Sequence, residues 1–539
     1  MRLKKELIFT AIAVLVTFSL GSSTGFSASC KKCEDLLTAD FGLGVKIISA
    51  RIRSEVDPPG GKGNSIPVPE YCEVRGKELP ENNFVIKLPT EWNGNYFQRG
   101  NGGLAGSIQE DNINYGLKLG YAAAGANGGH DGAIVDGRFG YNPPDNSNPS
   151  ANEKLDDYCF GSIHKMNVLA KKIVNAYYCK GPKYSYYQGC STGGRQGLIE
   201  AQRYPEDFDG LMIGAPLVYL TKITMRDIWQ AKKIAEGEGL TSEKMSMVAD
   251  AVMKKCDKTD GLVDGLIGDP RKCAFDALRE LPACPGDKDN PKCFTLAQRT
   301  AISKIYDGPR NSAGDLLFKG APLGSEAFGP GPFGPNSGWH GWIIPLPKAP
   351  LSIGVMMGSN FVQYCVLPPK GGGPNWDLKT FNWDTDWPNV LAKMSSKCDA
   401  YEPNLLPLKL RGGKIIHYHG FADPLVSPFA SIEYYKSVVD YIGDRATKEF
   451  YKLYMIPGLF HCSGGVGCTD DDAIFNALVN WVEKGVEPKS ITGSRIVDGK
   501  VVRTRPMCPY PSVARYNGKG SIDDAAHFTC VNPSGQGPN

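Results

Sequence analysis

The chain has 539 residues, too many for one small core and suited to a large α/β domain carrying an insertion. Its 60 basic and 57 acidic side chains leave a net charge of +3, which excludes the basic footprint of a nucleic-acid-binding protein. A mean hydropathy of −0.27 with 10% aromatic residues describes a soluble globular chain.

At the start, Arg2, Lys4 and Lys5 precede an apolar run from Leu7 to Leu20, then small polar residues to Ser29. This order predicts a signal peptide over residues 1–29 and a secreted or periplasmic protein. No other run reaches the roughly 18 apolar residues that a membrane span needs. The mature form is therefore expected to be soluble and free of the membrane. Sixteen cysteines in an exported chain imply disulfides rather than zinc.

Residues 34–130 are rich in strand-like runs, among them Val45 to Ile52 and Asn83 to Pro89. Tyr96-Phe97-Gln98-Arg99 then meets the glycine-rich Gly100-Asn101-Gly102-Gly103-Leu104-Ala105-Gly106. A further small-residue strand runs from Gly120 to Gly125. Apolar positions at helical spacing follow at Ile163, Met166, Leu169, Ile173, Ala176 and Tyr177. Next come the aromatic run at 184–187, a glycine corner, a helix-compatible run and the buried strand Phe208 to Pro216. That alternation predicts a parallel sheet wrapped by helices. From 217 to 405 the rhythm breaks into two helices, at 219–237 and 241–255, and then into proline- and glycine-rich loops. It resumes with a strand at 414–420, a helix at 428–441, a strand at 448–456 and a helix at 470–484. The fold class expected is an α/β-hydrolase fold with a large inserted lid domain. Residues 30–216 and 406–539 would form the body and 217–405 the lid. The tail after 490 reads as a cysteine-stapled appendage.

The glycine corner reads Gly189-Cys190-Ser191-Thr192-Gly193. This is the spacing of a nucleophile elbow, a strained strand-to-helix turn that exposes a serine hydroxyl. Such a serine needs a base and an orienting carboxylate, which follow it in the order acid, then histidine. Asp423 lies just past the strand ending at Gly420, and His461 just past the next strand. Both occupy the edge where parallel strands release ligand-binding loops. His130 and His164 precede the serine, His340 falls in the lid, His527 in the tail, and His417 and His419 within a strand. The oxyanion donors expected are the N–H of Thr192 and one from the glycine loop, Gly102 or Gly103.

At these residues the chain resembles the tannase/feruloyl esterase family of serine hydrolases, with its Cys-Ser, Asp and His-Cys arrangement. Cys190-Ser191 and His461-Cys462 carry the likeness, with Gly189 to Gly197, Glu200 to Gly210, Gly214-Ala215-Pro216, His419 to Pro424 and His461 to Gly465. It spans roughly residues 33 to 530 and is weakest in the lid. The resemblance implies a Cys190–Cys462 disulfide tying the serine loop to the histidine loop. It also implies Cys284–Cys293, Cys508–Cys530 and Cys33–Cys72, with Cys256–Cys273 closing the loop described next. Cys30, Cys159, Cys179 and Cys468 are left open, with Cys365–Cys398 a plausible lid pair.

Cys256 to Cys273 encloses four aspartates and three glycines, hard oxygen donors and sharp turns suited to Ca²⁺, though not at EF-hand spacing. By resemblance the ligands would be Asp257, Asp260 and Asp264 with the carbonyls of Leu262 and Leu266, and the ion structural. The implied activity is ester hydrolysis on phenolic acids of the feruloyl type, from plant cell-wall or polyphenol sources. A tannase acting on galloyl esters, or an esterase for other aromatic esters, is the nearest alternative. An exported serine peptidase and a non-catalytic binding protein are the remaining readings. Trp339, Trp342, Phe361 and Trp376 are candidates either for aromatic substrate walls or for lid core.

Overall fold

Five strand segments between residues 122 and 456 are buried almost throughout, as parallel strands covered on both faces must be. The computed structural model describes residues 30–53, 67–335, 337–367 and 372–533. Its main sheet contains β1 (Val45–Arg53), β2 (Tyr71–Glu78), β3 (Asn82–Pro89), β4 (Tyr96–Arg99), β5 (Ala122–Ala126), β6 (Ser185–Cys190), β7 (Gly210–Gly214), β8 (Lys414–Gly420) and β9 (Tyr451–Ile456). Their order is β1-β2-β3-β5-β4-β6-β7-β8-β9. The first four in that order pair antiparallel, and every pair from β5 to β9 is parallel.

Helices cover both faces. Helix Ser162–Tyr178 buries Ile163, Met166, Leu169, Ala170, Ile173 and Val174, a stripe at helical spacing, into one core with Ile213 and Val438. Helix Asp471–Lys484 closes the other face with Phe475, Leu478 and Trp481 against Phe97, Tyr186 and Ile416. The signal-peptide reading falls on residues outside those described.

The chain leaves the sheet after Gly214 and returns at Lys414. Gly210 pairs directly with Lys414, so the excursion starts and ends on neighbouring strands. Part of it has its own core around Val248, Ile302 and Trp339. Another part, including Ile223 and Val390, shares a core with Phe139, Tyr158 and Val426. The predicted helices here form at Leu220–Glu236 and Ser242–Cys256. Three local features depart from the sequence reading. Helix Asp444–Lys448 delays β9 to Tyr451, and β2 and helix Glu110–Lys118 were not foreseen.

Among the described residues seven disulfides form: Cys30–Cys179, Cys33–Cys72, Cys159–Cys398, Cys190–Cys462, Cys256–Cys273, Cys284–Cys293 and Cys508–Cys530. The plausible Cys365–Cys398 pair does not form. Cys398 ends the helix Asp386–Cys398 beside Cys159, whereas Cys365 is a buried thiol whose sulfur faces the Gly137 carbonyl at 3.3 Å.

Arg195 stitches this crosslink to the elbow helix. Fully buried, its guanidinium donates to the carbonyls of Cys159 (2.7 Å), Tyr158 (2.9 Å) and Cys398 (3.0 Å). Arg195→Met fills part of the same space without the guanidinium and strands three buried acceptors. It should cost about 3 kcal/mol, the scale of several acceptors losing their donor. Urea unfolding would measure it, and a loss below about 1 kcal/mol would show that water replaces the guanidinium.

Candidate active site

Ser191 stands alone between β6 and the helix Thr192–Arg203, at φ 65° and ψ −124°. A non-glycine residue held there is strained by about 1–3 kcal/mol. Its N–H donates to Gly214 of β7 (3.0 Å), and its carbonyl accepts from Arg195 N (3.0 Å). The flanking glycines are sterically required. A Cβ on Gly189 would sit 2.5 Å from the Gly193 carbonyl oxygen, and one on Gly193 would sit 2.9 Å from that of Asn101.

Asp423 and His461 come together, although 38 positions apart. His461 Nδ1 donates to Asp423 Oδ2 at 2.7 Å. The same oxygen accepts from His419 Nε2 at 3.1 Å, and Oδ1 accepts the N–H groups of Leu425 and Val426, both at 2.8 Å. Burial alone would raise this carboxyl. His461, with the hydrogen bonds from His419 and His461, outweighs burial and holds it well below the usual carboxylate range. With its hydrogen committed to Asp423, His461 keeps a lone pair on Nε2. The Cys190–Cys462 disulfide, with Cα atoms 6.0 Å apart, joins the neighbours of Ser191 and His461.

Gly102 and Gly103 lie in the loop after β4. Asn101 N–H donates to Gln196 Oε1 (2.9 Å), and Gln196 Nε2 donates back to Asn101 Oδ1 (3.0 Å). Thr192 Oγ1 donates to the Gly103 carbonyl at 2.5 Å. The glycine loop is thus clamped to the first turns of the elbow helix. As a first-turn residue, Thr192 has no acceptor within the helix for its own N–H. The reciprocal pair of Asn101 and Gln196 escaped the sequence reading. The one local signal was an amide side chain one turn past the corner.

Of the candidate aromatic walls, Trp339 and Phe361 are fully buried core, Trp339 donating its indole N–H to Ser325 Oγ. Trp376 packs, partly buried, on the shared core. Trp342 differs: its ring stands edge-on to His461 at 5.6 Å between centroids, with Phe333 against it at 4.9 Å. A cavity of about 670 Å³ lies elsewhere, lined by Asp260, Arg271, Phe421, Arg505 and Tyr510 and not by Ser191 or His461.

The family model for tannase and feruloyl esterase matches residues 66–531. The chain belongs to that family. It is a carboxylic ester hydrolase. The protein named "Probable feruloyl esterase B-1" of Aspergillus terreus is 34% identical over 508 residues, covering 88% of this chain and 89% of the relative. The mono(2-hydroxyethyl) terephthalate hydrolase of Piscinibacter sakaiensis is 31% identical, covering 86% and 85%. The crystal structure of feruloyl esterase B from Aspergillus oryzae superposes with a TM-score of 0.76 at 26% identity, covering 91% of this chain and 97% of that one.

In this esterase the loop closed by Cys256–Cys273 is knotted by its own aspartates. Asp257 accepts the N–H of Asp264 and Gly265, Asp260 that of Leu262, and Asp264 that of Leu266. Burial raises the carboxyls of Asp260 and Asp264, and the neighbouring aspartate charges add to the rise. Arg505 from the tail answers part of that charge, donating to Asp264 Oδ2 at 2.6 Å. Crowded, partly desolvated carboxylates of this kind are a donor set that fits a hard divalent cation.

Glu200, on the buried side of the elbow helix, has no hydrogen-bond donor among the described residues. Burial, then the charge of Asp207, pushes its carboxyl well above the usual range. The sign of the linkage follows. The folded chain keeps this proton at a pH where the unfolded chain, near the ordinary value of about 4.3, has lost it. Stability therefore falls as pH rises above about 4.3, until the folded group ionises as well. Glu200→Gln has no such proton. In urea melts, the variant should gain on the natural chain as pH rises above about 4.3. A pH-independent difference would contradict this.

Proposed function

We propose that Ser191, His461 and Asp423 form the nucleophile, base and orienting acid of an esterase for phenolic acid esters. The observation that carries this reading is the buried Asp423–His461 pair, tethered through Cys462 and Cys190 to a strained serine. His461 Nε2 takes the Ser191 proton as its oxygen attacks the ester carbonyl. Asp423 steadies the imidazolium that results. The N–H of Thr192, with one from Gly102 or Gly103, stabilises the oxyanion. His461 then returns the proton to the leaving alcohol, and water releases the acid by the same steps in reverse.

The substrate class rests on relatives. The feruloyl esterases act on phenolic acid esters, and the terephthalate hydrolase on another aromatic ester. Trp342 beside His461, backed by Phe333, supports an aromatic acyl group, since flat rings pack well edge-to-face. Galloyl esters are the second reading, supported by the shared family model. Seven disulfides support an oxidising, extracytoplasmic location. A Ca²⁺ ion held by Asp257, Asp260 and Asp264 with the Leu262 and Leu266 carbonyls would relieve the aspartate repulsion and fasten the loop to the tail.

Ser191→Ala should melt as the natural protein does and lose at least about a thousandfold in kcat. Near-normal turnover would remove Ser191 from this role. A panel of methyl ferulate, methyl caffeate, chlorogenate and methyl gallate separates the substrates. Gallate alone would favour a tannase, and a cleaved peptide anilide with all esters intact would favour a peptidase. Excess chelator should lower Tm and Ca²⁺ should restore it, while Ca²⁺ leaves kcat at low temperature unchanged. An unmoved Tm would eliminate the structural ion.

A further inference from the structure

Behind Asp423, strand β8 carries two histidines, His417 and His419, whose side chains fall on one face. Both are fully buried. His419 Nε2 lies 3.1 Å from Asp423 Oδ2 and 3.2 Å from the Val426 carbonyl oxygen. Its Nδ1 lies 2.7 Å from Ser431 Oγ, on helix Pro428–Ile442. Ser431 Oγ in turn lies 3.0 Å from His417 Nε2, and His417 Nδ1 lies 2.7 Å from the Tyr451 hydroxyl of β9.

The hydrogens in this row follow from the acceptors at its end. A carboxylate and a carbonyl can only accept, so His419 Nε2 carries the hydrogen. Nδ1 of His419 then accepts from the Ser431 hydroxyl. Ser431, its hydrogen committed, accepts from His417 Nε2, and His417 Nδ1 accepts from Tyr451. The opposite direction strands the Tyr451 hydroxyl hydrogen, which has no other acceptor among the described residues.

We infer that His419 is a positioning residue of the active site, held by Ser431 in the one tautomer that donates to Asp423. The inference rests on the triad reading. Among the described residues Asp423 accepts four hydrogen bonds, and His419 supplies the only side-chain donor besides His461. Without it, Oδ2 keeps one donor and the carboxylate gains freedom to turn away from His461. Removing the donor also favours protonation of Asp423, in the direction set by the contribution of His419. The groups facing this row are His461, His417 and Tyr451, with Tyr434 and Tyr435 against Tyr451. From the lid, the Arg226 guanidinium, paired with Asp227, donates to the Leu425 carbonyl.

The test is the pH dependence of 4-nitrophenyl acetate hydrolysis by His419→Phe, His419→Gln, Ser431→Ala and Ser191→Ala, with thermal melts as a folding control. His419→Phe should lose about ten- to a hundredfold in kcat, the scale of one hydrogen bond to a charged group, with KM within about twofold. The acid limb of its kcat/KM profile should move to higher pH. His419→Gln, with an amide N–H near the Nε2 position, should recover most of both. Ser431→Ala should move the limb the same way by less. A folded His419→Phe with its limb unmoved, or a His419→Gln no better than it, overturns the inference. If His419→Phe does not fold, the Ser431→Ala limb decides, shifted in favour or unmoved against. Retained activity in Ser191→Ala would instead bring down the triad reading, a separate outcome.

Discussion

The backbone of Ser191 is held where a side-chain-bearing residue does not settle by itself, and the rest of the site is arranged around keeping it there. Gly214 grips its N–H from β7, the elbow helix grips its carbonyl, and the glycine loop lies against Gly193. Cys190–Cys462 then ties that corner to the histidine loop. In the loop-entropy account, a bridge over 272 positions removes about 5 kcal/mol of unfolded-chain freedom. Cys159–Cys398 already shortens the path to 31 residues before Cys190 and 64 before Cys462, so less remains to remove. On the proposed mechanism the greater consequence is local, since small misplacements of a nucleophile from its base are expensive.

The insertion is part of this support. Arg195 of the elbow helix holds the Cys398 carbonyl, Arg226 of the excursion holds the loop of Asp423, and Trp342 stands against His461. Asp399, where the chain heads back to the sheet, accepts from the N–H and the hydroxyl of Thr221, where it departed. Both ends of the excursion are therefore stitched to each other as well as to neighbouring strands. Loosening this part of the excursion would reach Asp423 and His461 before it reached the sheet.

Much of the fold was legible because it is local. Glycine spacing announced the corner at Ser191, small and β-branched runs announced β5, β7 and β8, and helical spacing announced Ser162–Tyr178. The misses share one cause, dependence on what folds alongside. Whether Cys398 meets Cys159 or Cys365 depends on where a helix ends against a helical turn 239 positions away. Trp339 reads as core or as substrate wall, with core the commoner case, until its indole is found on Ser325. His417 and His419 looked like ordinary strand histidines, and Ser431, from the helix that follows, joins them into one row ending at Asp423. Strand β2 is recognisable through its partners β1 and β3 rather than through its mixed sequence.

Two buried carboxylates, both following Ser191 in sequence, carry the electrostatic argument to its end. Glu200 and Asp423 are equally shut off from water, and burial raises the carboxyl of each. Glu200 faces a second acid and receives no donor among the described residues, so burial prevails and its carboxyl is held well above the usual range. Asp423 receives two backbone and two imidazole hydrogen bonds, which reverse the effect of burial. Burial therefore does not decide which carboxylate is available to orient a base. The number and sign of the groups aimed at it decide. In this chain they are aimed from a strand, a tight turn and a cross-linked loop, elements that become neighbours when the parallel half of the sheet is complete.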